Sequence, residues 1–488
     1  MNALGYIQHR ESGLPAVLGG RQMSMVAVGT VISYGLISGS AFPLLAAGPA
    51  AVLAYLAAAL VAVLLMACLS GLASAHPTPG AFGSYAECYL GPAAGFMVRA
   101  AYFASFVLIM GTEVSLLAPV LNAWLPQVHT GLLLACVFVG LALVNLHGTR
   151  TFAHCEVALS MLKVLALIGL IGLACYYAAF GTPTPPHNPI DAVAAIRGAS
   201  FPSIWQAFIL AALGYVGIES LAVAAGEANV SARALRRRMR ATTLAVVGLT
   251  VAAVAASAAL VNSGVVSLFQ APFGALLGLT ATPWPQTLFR ALIFVTVLSV
   301  LNSQMYCASR MLFSMARAEQ APSALGRSSA RGPSRAVIAT AGLAFAVFLA
   351  GAWFPVQTYL ASTSIATTGL LFVWLAIFLT YGSYRRSQTG RANTRRARLR
   401  DIAAAGGGAL TVGTIAASTW AAESFSLTLR VGLPFMLLLW LTYALLKRRA
   451  SRRVRPVEPT PIPFHRCAGS RNGARTNAVR LCADQPTG

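Results

Sequence analysis

Charge is what this chain has least of. Only 10% of its residues are Asp, Glu, Lys or Arg, while 57% are hydrophobic. An aqueous globule could not hide that much apolar surface behind so few charges. Paired cysteine spacing is missing too: the eight cysteines form no CxxC and fall mostly within apolar stretches, which argues against a disulfide framework or a zinc site. No HExxH, GxSxG elbow, Walker loop or pair of catalytic acids in a plausible aqueous site occurs, so no common enzyme class is indicated. Stacking aromatics do not interleave the basic runs, and the formal net charge of +23 therefore does not call for nucleic acid. His76, His147 and His154 lie near loop ends without metal-ligand spacing, so neither a metal nor a cofactor is expected.

What the chain does have is apolar length. Spanning about 30 Å of hydrocarbon takes about 20 mainly apolar residues, and about twelve such stretches follow one another. They begin near Gln22, Pro49, Gly95, Gly131, Thr151, Phe201, Ala241, Pro285, Arg335, Thr358, Ile402 and Thr428. The first lacks the charged n-region and cleavage site of a signal peptide and is read as a retained helix. Arginines fall in alternate loops: Arg150, then Arg233, Arg236, Arg237, Arg238 and Arg240, then Arg317, Arg327 and Arg331, then a run from Arg385 to Arg400. The opposite loops hold little beyond Asp191, Arg197, Glu423 and Arg430. The positive-inside rule places both termini in the cytoplasm. Three regions result: residues 1–21 as a cytoplasmic lead, 22–446 as the membrane domain, and 447–488 as a basic, disordered tail that is either solvated without a partner or touches anionic membrane lipid.

Two of the apolar stretches interrupt themselves. "VISYGLISGS", Val31 to Ser40, carries Gly35 and Gly39 among serines, and "FILAALGYVGIES", Phe208 to Ser220, carries Gly214 and Gly217 before Glu219. Close helix packing explains one such cluster. Two of them, in the first and sixth spans, suggest two five-helix repeats with a binding site between broken helices near the midplane. Unwound backbone is tolerated at that depth only where it faces a cavity, a ligand or other protein. A half-helix resuming near Gly39 offers N–H groups to a carboxylate, and half-helices ending near Ser33 and Leu213 offer carbonyls to an ammonium. A zwitterion satisfies both.

Several strings then resemble bacterial amino acid permeases of the amino acid-polyamine-organocation superfamily: "SGSAFPLLAAGPAAVLAYL", "PTPGAFGSYAECYLGPAAGF", "NLHGTRTF", "GIESLAVAAGEAN" and "LNSQMYCASRMLFSMA". The resemblance covers about Arg21 to Arg400 and implies an all-α membrane protein of about 12 spans. Its fold would be the LeuT-type 5+5 inverted repeat, with discontinuous helices 1 and 6 and two extra C-terminal helices. It further implies proton-driven uptake of an amino acid or related small amine across the bacterial inner membrane. An amine exchanger of the same superfamily and a transport-inactive amino acid sensor are the alternatives, and the oligomeric state is left open. By resemblance Ser33, Tyr34, Gly35, Gly39 and Ser40 line the carboxylate side, while Leu213, Gly214, Tyr215 and Gly217 form the amine and side-chain pocket. The first break departs from the family's Gly-Thr-Gly, reading Ser33-Tyr34-Gly35.

Ionisable residues at membrane depth are costly and become functional candidates. Glu219 follows the second break and either shapes the pocket or caps the half-helix. Glu113 lies about 27 Å along the third span at 1.5 Å per residue, which points to an outer vestibule or a structural carboxylate. Glu227 and Arg310 sit at the arginine-rich ends of the sixth and eighth spans, as an inner gate or a packing pair. Arg99 and Arg290, near span ends, are expected to snorkel. Lys163, one of two lysines in the chain, falls about 18 Å into the fifth span, where it can reach neither face. It is the candidate for proton coupling. By resemblance its ammonium stands where related sodium-coupled carriers hold a cation beside the first broken helix; the alternative is a fixed brace on that helix's carbonyls.

Overall fold

A computed structural model describes residues 3–38, 40–180, 190–279, 284–388, 395–421 and 426–453. The chain divides into two compact units, Met1–Leu446 and Lys447–Gly488. Of the second unit residues 447–453 are described, and they are helical; the basic tail beyond them, like Gly39 and Glu423, lies outside the described residues.

Nine helices among the described residues are long and apolar enough to cross a bilayer. Twelve spans emerge when the two interrupted ones and the 27-residue helix Arg395–Ala421 are added. The first is divided into Gly20–Val31 and Ala41–Ala47, with a single turn, Tyr34–Ile37, between them. The sixth is divided into Phe201–Gly214 and Ser220–Ala225. The half-helices thus end at Val31 and Gly214, within two residues of the ends expected at Ser33 and Leu213.

In a bilayer, polar side chains mark the faces that meet protein. The eighth span, Trp284–Arg317, buries Ser299, Asn302, Ser303, Gln304, Ser309 and Arg310, and 72% of its apolar window is buried. It is the central post. The fourth span, Thr130–His147, is buried over only 22% of its window and presents Leu132, Val139 and Leu143 outward.

The two broken spans are fastened together. Thr30 Oγ1 donates to Gly217 O at 2.8 Å and lies 2.9 Å from Ser220 Oγ. Toward the arginine-rich side Leu18 N donates to Glu227 O at 3.0 Å, and Asn229 N donates to Leu18 O at 2.9 Å. Gly217 is required at the crossing: its φ is +104°, and a Cβ there would meet Thr30 at 2.9 Å.

Arg99 does not snorkel. It is fully buried, and its Nη2 donates to Glu11 at 3.2 Å and to Glu87 at 2.5 Å. Glu11, also fully buried, further accepts from Gly80 N, Ser84 Oγ and Ser314 Oγ. Arg10 forks onto Glu87 with two bonds of 2.7 Å. The N-terminal helix Ala3–Arg10 is therefore docked by ion pairs onto the short helix Ala81–Leu90 and the ends of the third and eighth spans. Burial alone would raise the Glu87 carboxyl, but the Arg10 hydrogen bond and the Arg99 charge outweigh it and hold it below its usual range.

Candidate functional site

The first break begins where Ile32 leaves helical geometry, at φ −76° and ψ 84°, after its N–H has bonded to Val28 O. Ser33 N then turns back to Val31 O, and Leu36 N to Ser33 O. The carbonyls of Gly29 and Ile32 are left without their i+4 donors. Lys163 supplies the replacement: its fully buried Nζ donates to Gly29 O at 2.8 Å and to Ile32 O at 3.1 Å. Those two carbonyls are satisfied by the protein itself and are not free for a substrate ammonium.

Lys163 shares its helix face, within Thr149–Phe180, with Glu156 and Ser160. Glu156 is fully buried and accepts from Ser160 Oγ at 2.8 Å, Ser299 Oγ at 2.5 Å and Asn302 Nδ2 at 2.8 Å. Asn145 of the fourth span donates in turn to Asn302 at 3.0 Å. Glu156 was not singled out from sequence, although Glu156, Ser160 and Lys163 at i, i+4 and i+7 share one helix face. Gly29 is fitted to this carboxylate, since a Cβ there would overlap it. Gly29→Ala is therefore expected to displace Glu156 and to cost about 1–3 kcal/mol of stability. An unchanged melting temperature in detergent would show that the first and fifth spans part freely.

The second break, Tyr215–Glu219, is held from behind. Glu219 is fully buried, and its carboxylate accepts from Gly217 N at 3.1 Å and from Trp374 Nε1 at 3.1 Å. It braces the unwound backbone and does not line the cavity beside it. That cavity, of about 140 Å³, is lined by Ser33, Gly35, Ser40 and Gly214 among the expected residues, joined by Tyr55, Leu210 and Thr250. Tyr34, Leu213, Tyr215 and Gly217 are outside its lining. Tyr215 is buried edge-to-face against Tyr55, with ring centroids 6.0 Å apart, and Tyr34 is 38% exposed. Ser40 is held at φ +55°, a left-handed conformation that costs a non-glycine residue about 1–3 kcal/mol. The Tyr55 hydroxyl secures it with a 3.1 Å bond. Among the described residues Thr250 Oγ1 is buried with no hydrogen-bond partner, so the cavity keeps an unused hydrogen-bonding group.

Glu113 meets Gln304, whose Nε2 donates to it at 3.0 Å. Ser303, adjacent to Gln304, is next to Gly29. Glu113 is thereby linked through the eighth span to the neighbourhood of the first break. At the arginine-rich end Glu227 accepts from Arg310 Nε at 2.8 Å, Thr149 Oγ1 at 2.8 Å and Tyr306 OH at 3.1 Å. The Arg310 guanidinium also lies over the Tyr306 ring at 3.9 Å, and that ring stacks on Phe152. Arg290 is exposed.

Residues 22–449 match the family model for amino acid permeases. The chain belongs to the amino acid permease family. A probable GABA permease of Pseudomonas aeruginosa is 30% identical over 376 residues, covering 75% of this chain and 79% of that protein. A gamma-aminobutyric acid permease of Bacillus subtilis is 26% identical, with 75% and 79% covered. The aromatic amino acid transport protein AroP of Corynebacterium glutamicum is 28% identical, with 77% and 82% covered. Among solved structures, a mutant manganese transporter of Eremococcus coleocola superimposes with a TM-score of 0.52 at 11% identity, covering 89% of this chain and 94% of that one. That likeness concerns the fold: an all-α membrane protein with the LeuT-type 5+5 inverted repeat, broken first and sixth helices and two further helices. This permease is a multi-pass amino acid transporter and not an enzyme.

Proposed function

We propose that this permease imports a small amino acid or related amine across the bacterial inner membrane by proton symport, with alternating access and both termini in the cytoplasm. The observation that carries the coupling is Lys163, seated on the two carbonyls that the first break sets free. An ammonium there stabilises the broken helix, and loss of its proton releases it. The binding site is the region between the breaks, where Ser33, Gly35, Ser40 and Gly214 meet in one cavity. Its volume of about 140 Å³ favours a compact zwitterion. γ-Aminobutyrate, for which two of the relatives are named, is the first candidate.

Because Thr30 and Leu18 tie the first span to the sixth, the two broken helices move as one body against the third and eighth spans. Opening toward the cytoplasm requires the Glu227–Arg310 pair and the Glu11–Arg99–Glu87 network to part. Together they act as the inner gate. The test is uptake into proteoliposomes across a panel of amino acids and amines under an imposed pH gradient. Counterflow of amines alone would favour an exchanger, and ligand-dependent thermal shifts with no uptake would favour a sensor.

Glu219 provides a finer test. Glu219→Gln keeps one acceptor oxygen but places an amide NH₂ against Gly217 N–H or Trp374 Nε1–H. The mispairing costs about 1–3 kcal/mol. We expect it as a raised KM or altered substrate range with normal membrane insertion. Kinetics identical to the unmodified protein across the panel would restrict Glu219 to capping.

A further inference from the structure

A cleft at the arginine-rich face carries four cations and no anion. Arg233, Arg236, Arg237 and Arg240 open the seventh span, Ala232–Asn262, and surround a cavity of about 490 Å³ beside Ser74 at the end of the second span. At 100° per residue these four side chains fall within an arc of about 100°. Leu235, Met239 and Val246, on the neighbouring arc, are buried in the protein. Among the described residues none of the four guanidiniums pairs with a carboxylate, and Arg236 donates only to Ser74 Oγ, at 2.9 and 3.3 Å.

Local energetics oppose this arrangement. The first turns of a helix carry the positive end of its dipole and favour acids. Arg233/Arg237 and Arg236/Arg240 are moreover like-charge pairs at i, i+4. The positive-inside rule asks for arginines in the loop but not for four of them on one arc around one cavity. A bound anion relieves the conflict. Ala241 begins the apolar run immediately after Arg240, which sets the cleft at the level of lipid headgroups. Arginine forks suit phosphate oxygens.

We infer that this cleft is a binding site for a phosphate-bearing anion, supplied by an anionic phospholipid of the cytoplasmic leaflet. The leaflet assignment rests on the orientation proposed above, but the binding test does not, because it is run on purified protein in detergent and needs neither transport nor sidedness. Native mass spectrometry would compare retention of phosphatidylglycerol and phosphatidylcholine of matched acyl chains. The unmodified protein is expected to retain phosphatidylglycerol about tenfold or more over phosphatidylcholine. Arg237→Gln with Arg240→Gln should remove that preference, while the equal charge change Arg331→Gln with Arg335→Gln should leave it. Arg237→Lys with Arg240→Lys keeps the charge but not the fork, and is expected to lose about threefold or more. It serves as the second variant if the glutamine pair does not fold. Displacement by millimolar inorganic phosphate or glycerol 3-phosphate would assign recognition to the phosphate group from either source, and displacement by anionic lipid alone to the lipid. Equal retention of the two lipids by the unmodified protein, or equal losses from the two glutamine pairs, would overturn the inference.

Discussion

Lys163→Ala is expected to abolish concentrative uptake while leaving the protein inserted in the membrane. One pH unit corresponds to about 1.36 kcal/mol, a tenfold concentration ratio, so one proton per substrate can hold at most about a tenfold gradient across an imposed difference of one unit. In the variant that ratio should fall to about one. The reason is local: without Nζ, Gly29 O and Ile32 O lose their donor at a depth where no water replaces it. Glu156, on the same helix face, already accepts from neutral donors only and loses the nearby ammonium charge. Measuring the steady-state accumulation ratio with and without a protonophore separates coupling from binding. A variant that still concentrated substrate, and lost that ability on protonophore addition, would place coupling elsewhere.

The second large effect is on stability. Arg99→Met should leave Glu11 buried with hydrogen bonds from Gly80 N, Ser84 and Ser314 but without its main counter-charge. Removing one partner of a buried ion pair costs about 3–5 kcal/mol. The exposed Arg290 is the control, and Arg290→Met should stay within about 0.5 kcal/mol. Thermal unfolding in detergent compares them, and equal melting temperatures would show that the buried network contributes nothing. The network also gives a pH dependence. The Glu87 carboxyl lies below its usual range when folded, so its contribution is complete above the unfolded value and is lost as pH falls through the lowered folded one. Acid, not alkali, should loosen the N-terminal helix.

The breaks were legible in the sequence because glycine and serine interrupt runs that are otherwise apolar, and Lys163 because a lysine at that depth can reach neither face and must find a partner inside the protein. Arg99 was misread for a physical reason. Its partner Glu11 is 88 residues away, and nothing local distinguishes a guanidinium that snorkels from one that meets a distant carboxylate. The lead before the first span likewise read as a plain cytoplasmic segment, since only folding brings Glu11 to Ser84 and Ser314. Within the cavity, Tyr55, Leu210 and Thr250 carried no signal because ordinary apolar spans contain such residues. Glu156 was within reach of sequence reading, because helical periodicity already placed it on the face of Lys163.

If Lys163 carries the coupling, amino acid movement and proton movement are one event. The most direct measurement is lumenal pH in proteoliposomes holding purified protein and a pH-sensitive dye, after external addition of γ-aminobutyrate or whichever panel member is taken up. The transported amino acid is expected to acidify the lumen in proportion to its uptake, and Lys163→Ala to give no acidification. Uptake by the unmodified protein with no change in lumenal pH, or undiminished acidification by Lys163→Ala, would show that Lys163 does not couple the two movements.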